Sequence, residues 1–239
     1  FIRAGRTPAG TSRTFRVWPI EKDYPGAGRA EVGRADGRLD VTVRGKPVLQ
    51  YHMAQTEPPE GVGEKFAHEA YIHPAWTPAG RVVTDDYPPD HKHQRGIWFS
   101  WTKTEYDGRH PDFWNLGKGT AYTRFAGLAG TASGPVFARF DTRHEHLDMK
   151  APGGPEVMLT EDWTVRVWNV GGLTAGGKGT GWFLWDLDSR QRGATDTPVR
   201  LPKYYYGGLG YRGHRAWLKE VAMKTSEGKT RKNGNESKA

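Results

Sequence analysis

The stretch DDYPPDHKHQRGIW, residues 85–98, gathers Asp85, Asp86, Asp90, His91, His93 and Arg95 into one short run. In an extended chain His91 and His93 point the same way, about 7 Å apart. Two imidazoles so placed can bind one metal ion. Neutral imidazole suits zinc, copper or iron, and a carboxylate often completes the set. That reading takes His91, His93 and Asp86 as ligands of one divalent metal ion. The same pair suits general acid–base work, because imidazole titrates near neutrality. A structural reading also stands: the rings could hold loop carbonyls, with Arg95 bridging Asp86 or Asp90.

Other residue types extend the chemistry. His73, in YIHP, precedes a proline in an otherwise apolar segment, and is either a buried core histidine or a site residue. Trp98, Trp101, Trp114 and Asn115 follow the run. Aromatic faces stack on sugar rings and amides bind hydroxyls, so Trp98 and Trp101 are candidate stacking walls and Asn115 a candidate ligand contact. In YYYGGLGYRG, residues 204–213, Tyr206 precedes two glycines that let backbone approach a ligand. Arg212 then offers a planar donor. The same stretch also reads as an edge strand with a glycine bulge. His144 and His146 repeat the spacing of His91 and His93, but charged neighbours suggest a solvated or structural strand face.

Strands must position these groups. FRVWPI and LDVTVRGKPVLQYHM read as extended, the latter turning at 45–46, and 54–70 is a Pro/Gly/Glu loop. AYIHP resumes a strand, and TPAG turns. Pro88 and Pro89 forbid a helix and favour an extended Tyr87. IWFSWTK places Ile97, Phe99 and Trp101 on one face and Trp98 on the other. VMLTEDWTVRVWNV aligns Val157, Leu159, Trp163, Val165 and Val167, with Glu161 on that same side. GWFLWDLDS puts Phe183, Trp185 and Leu187 together. No apolar pattern of helical period persists. The expected fold is all-β: a large antiparallel β-sandwich, with a galactose-mutarotase-like supersandwich as one form of it. Residues 1–14 read as a loose lead-in, 15–223 as the sandwich and 224–239 as a polar loop or tail.

Bulk composition narrows the function. The 239 residues suit one large β domain, and 32 Gly with 16 Pro make it rich in turns. The net charge of +8 is spread along the chain without the dense cluster a nucleic-acid surface needs. No cysteine is present, which excludes disulfides and thiolate chemistry. No run approaches the ~20 apolar residues of a membrane span. The expected partner is a small molecule or oligosaccharide, for a soluble protein of cytoplasm or periplasm.

YIHPAWTPAGRVVTDDYPPDHKHQRGIWFSWTKT, DFWNLG, YYYGGLGYRGHRAW and KTSEGK together resemble the bacterial "PmoA family", also labelled "methane oxygenase PmoA". By that resemblance His73, Asp86, His91, His93, Arg95, Gly96, Trp98, Asn115, Gly207, Gly208, Arg212 and Glu227 fall on motif positions. The resemblance implies carbohydrate work, with further strands following the SEG block. Taken with the residues, it gives a sandwich enzyme on a carbohydrate or modified sugar, of lyase, epimerase or hydrolase type. His91, His93, Arg95, His73 and Glu227 are its catalytic candidates, and Trp98, Trp101, Asn115, Arg212 and Tyr206 its substrate contacts. A mononuclear metal enzyme, oxygenase-like, and a non-catalytic sugar-binding module are the alternatives.

Overall fold

The computed structural model describes residues 8–12, 14, 28–170 and 181–218. The FRVWPI segment, Glu227 and the 224–239 tail lie outside the described residues. Ten strands are described: β1 (Ala30–Ala35), β2 (Arg38–Val43), β3 (Lys46–His52), β4 (Tyr71–Ala75), β5 (Ile97–Ser100), β6 (Ala121–Ala132), β7 (Phe137–Asp148), β8 (Glu156–Trp168), β9 (Leu184–Gly193) and β10 (Gly208–Tyr211). They form a six-stranded sheet, β1-β2-β3-β4-β5-β10, and a four-stranded sheet, β6-β7-β8-β9. All the pairings within them are antiparallel. The sheets pack as a sandwich.

Alternation drives this packing. Leu39, Val41 and Val43 of β2 turn inward with Leu49, Tyr51, Ile72 and Ile97, against Phe140, Trp163, Val165 and Val167 of the facing sheet. A second core cluster, Tyr106, Phe113, Ala121, Met158 and Leu159, lies under the long connection after β5. Phe99 packs on the main core from the same strand as the outward Trp98, as alternation requires. On β8 the pairing shifts between His146 and Leu147, so Met158 is buried where strict alternation would have put Val157.

Three local readings change. The β2–β3 turn falls on Arg44 and Gly45, both with positive φ, one residue earlier than expected. Tyr87 is not extended: its φ is 46°, in the left-handed region. Strands β1 and β6 are additional to those expected. The Asp36–Gly37 turn before β2 is a hairpin signal that could have found β1; β6 is hidden by its alanines and glycines.

Candidate functional site

The run 85–98 is an excursion between β4 and β5, pinched at its neck. Gly96 N–H donates to Asp85 O at 2.7 Å, and Asp86 bridges Arg95. Inside the neck the chain makes two turns, closed by His91 N–H to Pro88 O (3.0 Å) and Gln94 N–H to His91 O (2.8 Å). The expected extended backbone is thus replaced by turns, yet His91 and His93 remain neighbours, edge to face at 5.8 Å. At the neck only glycine fits: a Cβ on Gly96 would lie 1.8 Å from Ile72 O.

The two rings differ. The His91 side chain is half exposed, and its Nδ1 meets Asp90 Oδ2 at 2.8 Å. His93 is part-buried; burial first, then the charges of His91 and Arg95, push its pKa down to about 4. His93 is therefore a neutral imidazole at neutral pH. Arg212, just after β10, holds the excursion in place by donating to Gln94 Oε1 (2.8 Å) and Asp90 Oδ1 (2.7 Å). Burial works against ionisation of Asp90, but the hydrogen bonds from His91 and Arg212 outweigh it and hold Asp90 below its usual range.

A second wall comes from the connection after β5. Asp112 accepts the N–H groups of Trp114 (3.1 Å) and Asn115 (3.0 Å), and pairs with Lys118 Nζ at 2.7 Å. Asn115 Nδ2 reaches Asp112 Oδ2 at 2.9 Å and Tyr206 Oη at 3.4 Å. Trp114 bridges Trp98 and Tyr206, with ring centroids 4.8 and 5.4 Å away. Asp112 and Arg212 both act electrostatically on His93, one raising and one lowering its pKa. Asp90 thus joins His91 to Arg212, while Asn115 and Tyr206 gather at Asp112, whose charge reaches His93.

The other candidates fall elsewhere. Trp98 is 1% exposed, its ring against Gly210 of β10, so it supports Trp114 and is no stacking wall. Trp101 turns toward the other sheet, where Nε1 donates to Gln191 Oε1 at 2.8 Å. His73 bonds Thr84 Oγ1 through Nδ1 at 2.9 Å, and burial lowers its pKa. Asp86 is engaged beneath the excursion by His68 Nε2 (2.8 Å) and Tyr71 Oη (2.7 Å). It is not brought to His91 and His93, and among the described residues no three His, Cys, Asp or Glu side chains are grouped to hold a metal ion. Arg95 is 1% exposed, with Trp98 6.0 Å from its guanidinium.

Sequence reasoning missed two polar centres. One is His68, whose Nδ1 faces Phe66 O at 2.8 Å while Nε2 faces Asp86. Burial pushes this imidazole down toward about 4; the two acceptors, which call for two N–H donors, pull the other way. The second corrects the solvated reading of His144 and His146. Both are buried, at 1% and 0% exposure, and both meet Glu161, itself at 0%. Glu161 receives His146 Nε2 (2.9 Å), His144 Nδ1 (3.4 Å), Trp163 Nε1 (2.7 Å), Gln191 Nε2 (3.1 Å) and the Ser189 hydroxyl. Burial opposes its charge, but the histidine hydrogen bonds prevail and hold Glu161 far below the usual carboxylate range. The available signal was Glu161 itself, an acid on an inward-facing position.

The chain matches a family of unknown function, DUF6807, over residues 38–239. The chain belongs to DUF6807. That match overturns the resemblance to the PmoA family, for which nothing else speaks. No curated protein and no solved structure matches the chain. The DUF6807 match spans all three segments of the site, 85–98, 112–118 and 206–212. No helix among the described residues is long and apolar enough to cross a membrane.

Proposed function

We propose that this DUF6807 chain is a β-sandwich enzyme acting on a carbohydrate or modified sugar by acid–base chemistry at His91 and His93. The observation that supports the reading is that Asp90 joins His91 to Arg212, while Asp112, which holds Asn115 beside Tyr206, acts on the neighbouring His93, all of these side chains but Asp112 being part-exposed. His93, neutral through the physiological range, can accept a proton. His91 sits beside it, oriented by Asp90 as a catalytic imidazole is commonly oriented by a carboxylate. Asn115 and Tyr206 supply an amide and a phenol for hydroxyl groups, and Trp114 supplies an aromatic face beside Tyr206. Arg212 acts through the loop, fixing Asp90 and Gln94.

The test is turnover of a panel of mono- and oligosaccharides in deuterated water, followed by mass spectrometry. The H91A/H93A double variant should lose turnover by on the order of 10²–10⁴-fold, the range of a lost acid–base group. N115A and Y206F should mainly raise KM. If Trp114→Ala abolishes sugar binding while H91A/H93A binds as before, and no sugar is turned over, the chain is a binding module.

A further inference from the structure

The strands that end the two sheets are not alike. Strand β10 has four residues, β6 breaks register in two places, and β1 is bridged through Ala30 to Gly134. Strand β9 has ten residues, pairs with β8 without a register shift, and has, among the described residues, no strand on its other side. Edges are commonly blunted by short length, bulges, proline or lysine. None of these is present in LWDLDSRQRG, residues 184–193. The inward side of β9 is also unfinished. Trp185 and Leu187 pack on the main core but are only partly buried, whereas their partners on β8, Val167 and Val165, are buried.

Ala194 N–H donates to Met158 O at 3.0 Å, one step beyond the Leu159–Gly193 pair. That bond sets the phase of the ladder. Leu159 and Gly193 form a non-hydrogen-bonded pair, so the even-numbered residues of β9 bond to β8. The odd-numbered ones, from Trp185 to Gly193, turn N–H and C=O toward the open edge. The even-numbered Asp186, Asp188, Arg190 and Arg192 are exposed on the outer face. Their order is a charge palindrome: two acids, Ser189 at the centre, two bases. Asp186 accepts from Trp168 Nε1 and Arg192 pairs with Asp162, each at 2.7 Å. Asp188 and Arg190 form no hydrogen bond or ion pair with the described residues.

We propose that β9 is the contact through which two copies of this chain associate. The second copy lays its own β9 antiparallel along the open edge, about a two-fold axis at Ser189, and joins the two four-stranded sheets into one. The odd-numbered residues then exchange main-chain hydrogen bonds across the axis. Asp188 lies opposite the partner's Arg190, and Asp186 opposite the partner's Arg192, with the reciprocal pairs on the other side of the axis. These are non-hydrogen-bonded positions, where side chains come closest, and opposite charges there stabilise the pairing. Other registers fail. An axis at Leu187 sets Asp186 against Asp188, one at Gln191 sets Arg190 against Arg192, and one at Asp188 or Arg190 sets that residue against itself. Only the Ser189 axis matches all four charges.

Sedimentation equilibrium of the wild-type chain should show a concentration-dependent dimer. Asp188→Arg and Arg190→Asp each turn both central pairs into like charges, and each should weaken the dimer by about tenfold or more. An equimolar mixture of the two variants should restore association as a heterodimer, because each presents the charge the other lacks. Both side chains are exposed and neither belongs to the candidate site, so circular dichroism should report an unchanged fold. Hydrogen exchange of the wild type gives an independent reading if a variant does not fold: the amides of Leu187, Ser189 and Gln191 should gain protection as concentration rises. A wild-type chain that stays monomeric at its highest soluble concentration overturns the proposal; slow exchange of those amides in that monomer shows that another segment of the same chain covers the edge. A dimer that neither single reversal weakens is built elsewhere and overturns it too. A mixture of variants that stays monomeric overturns the pairing about Ser189.

Discussion

Two His-x-His pairs in this chain have the same spacing and opposite fates. His91 and His93 sit on turns and reach solvent; His144 and His146 sit on the inward face of β7 around a buried acid. Spacing alone does not separate them, because the deciding partner, Glu161, lies on another strand. Neighbouring charges misled the reading of the second pair: Arg143 and Glu145 flank His144 but point to the opposite face. Arg95 was legible as a functional type but not as a buried one, since two of the residues around it, Tyr71 of β4 and Tyr122 of β6, are distant in sequence. At this scale the clearest prediction concerns His93. Its ring should titrate near pH 4 by NMR, and His91→Ala should raise that midpoint, because His91 is one of the charges that lower it. Asp112→Asn should lower it further. The sign for stability follows: the unfolded chain binds a proton at the ordinary pKa of about 6.5, the folded one near 4, so stability falls as pH drops across that window. The effect is softened by the partial exposure of the ring.

The strands were the most readable elements. Alternation in β2, β8 and β9 marked their inward faces, and Ile97–Phe99 against Trp98 marked the two faces of β5. What alternation could not reveal is how elements meet. Strand β10 pairs with β5 so that Gly210 faces Trp98, and that closeness lets Trp98 pack against Trp114, which in turn meets Tyr206. A Cβ on Gly210 would come within 2.8 Å of the indole. Gly210→Ala should therefore displace Trp98, destabilise the fold by roughly 1–3 kcal/mol as overpacking does, and weaken ligand binding more than Asn115→Ala. Chemical denaturation and sugar titration measure the two effects. Gly96→Ala is harsher. Its Cβ would strike a backbone carbonyl, which cannot swing away, and φ is positive there. We expect no soluble folded protein, read by circular dichroism and yield.

At the scale of the whole molecule, the all-β sandwich was legible from turn-rich composition and period-two patterns, whereas the polar joint between its sheets was not. Tyr51 of the six-stranded sheet bonds His144 of the other at 2.7 Å, and His144 leads on to Glu161. Trp101 and Gln191 make a second bridge. A buried acid with this many donors is a keystone: removing it leaves several polar groups unsatisfied at once. Glu161→Ala should cost on the order of 3–5 kcal/mol, and Glu161→Gln less. Urea unfolding followed by tryptophan fluorescence and by far-UV circular dichroism should give coincident transitions in the wild type, since the sheets share one core.

The pairing of β10 with β5 has a temporal meaning too. On a ribosome the histidine turns emerge long before Arg212 and Arg215, the groups that brace them. On the proposed reading, recognition is thus withheld from the nascent chain until synthesis has passed the tenth strand, and ligand capture would report that β10 has docked on β5.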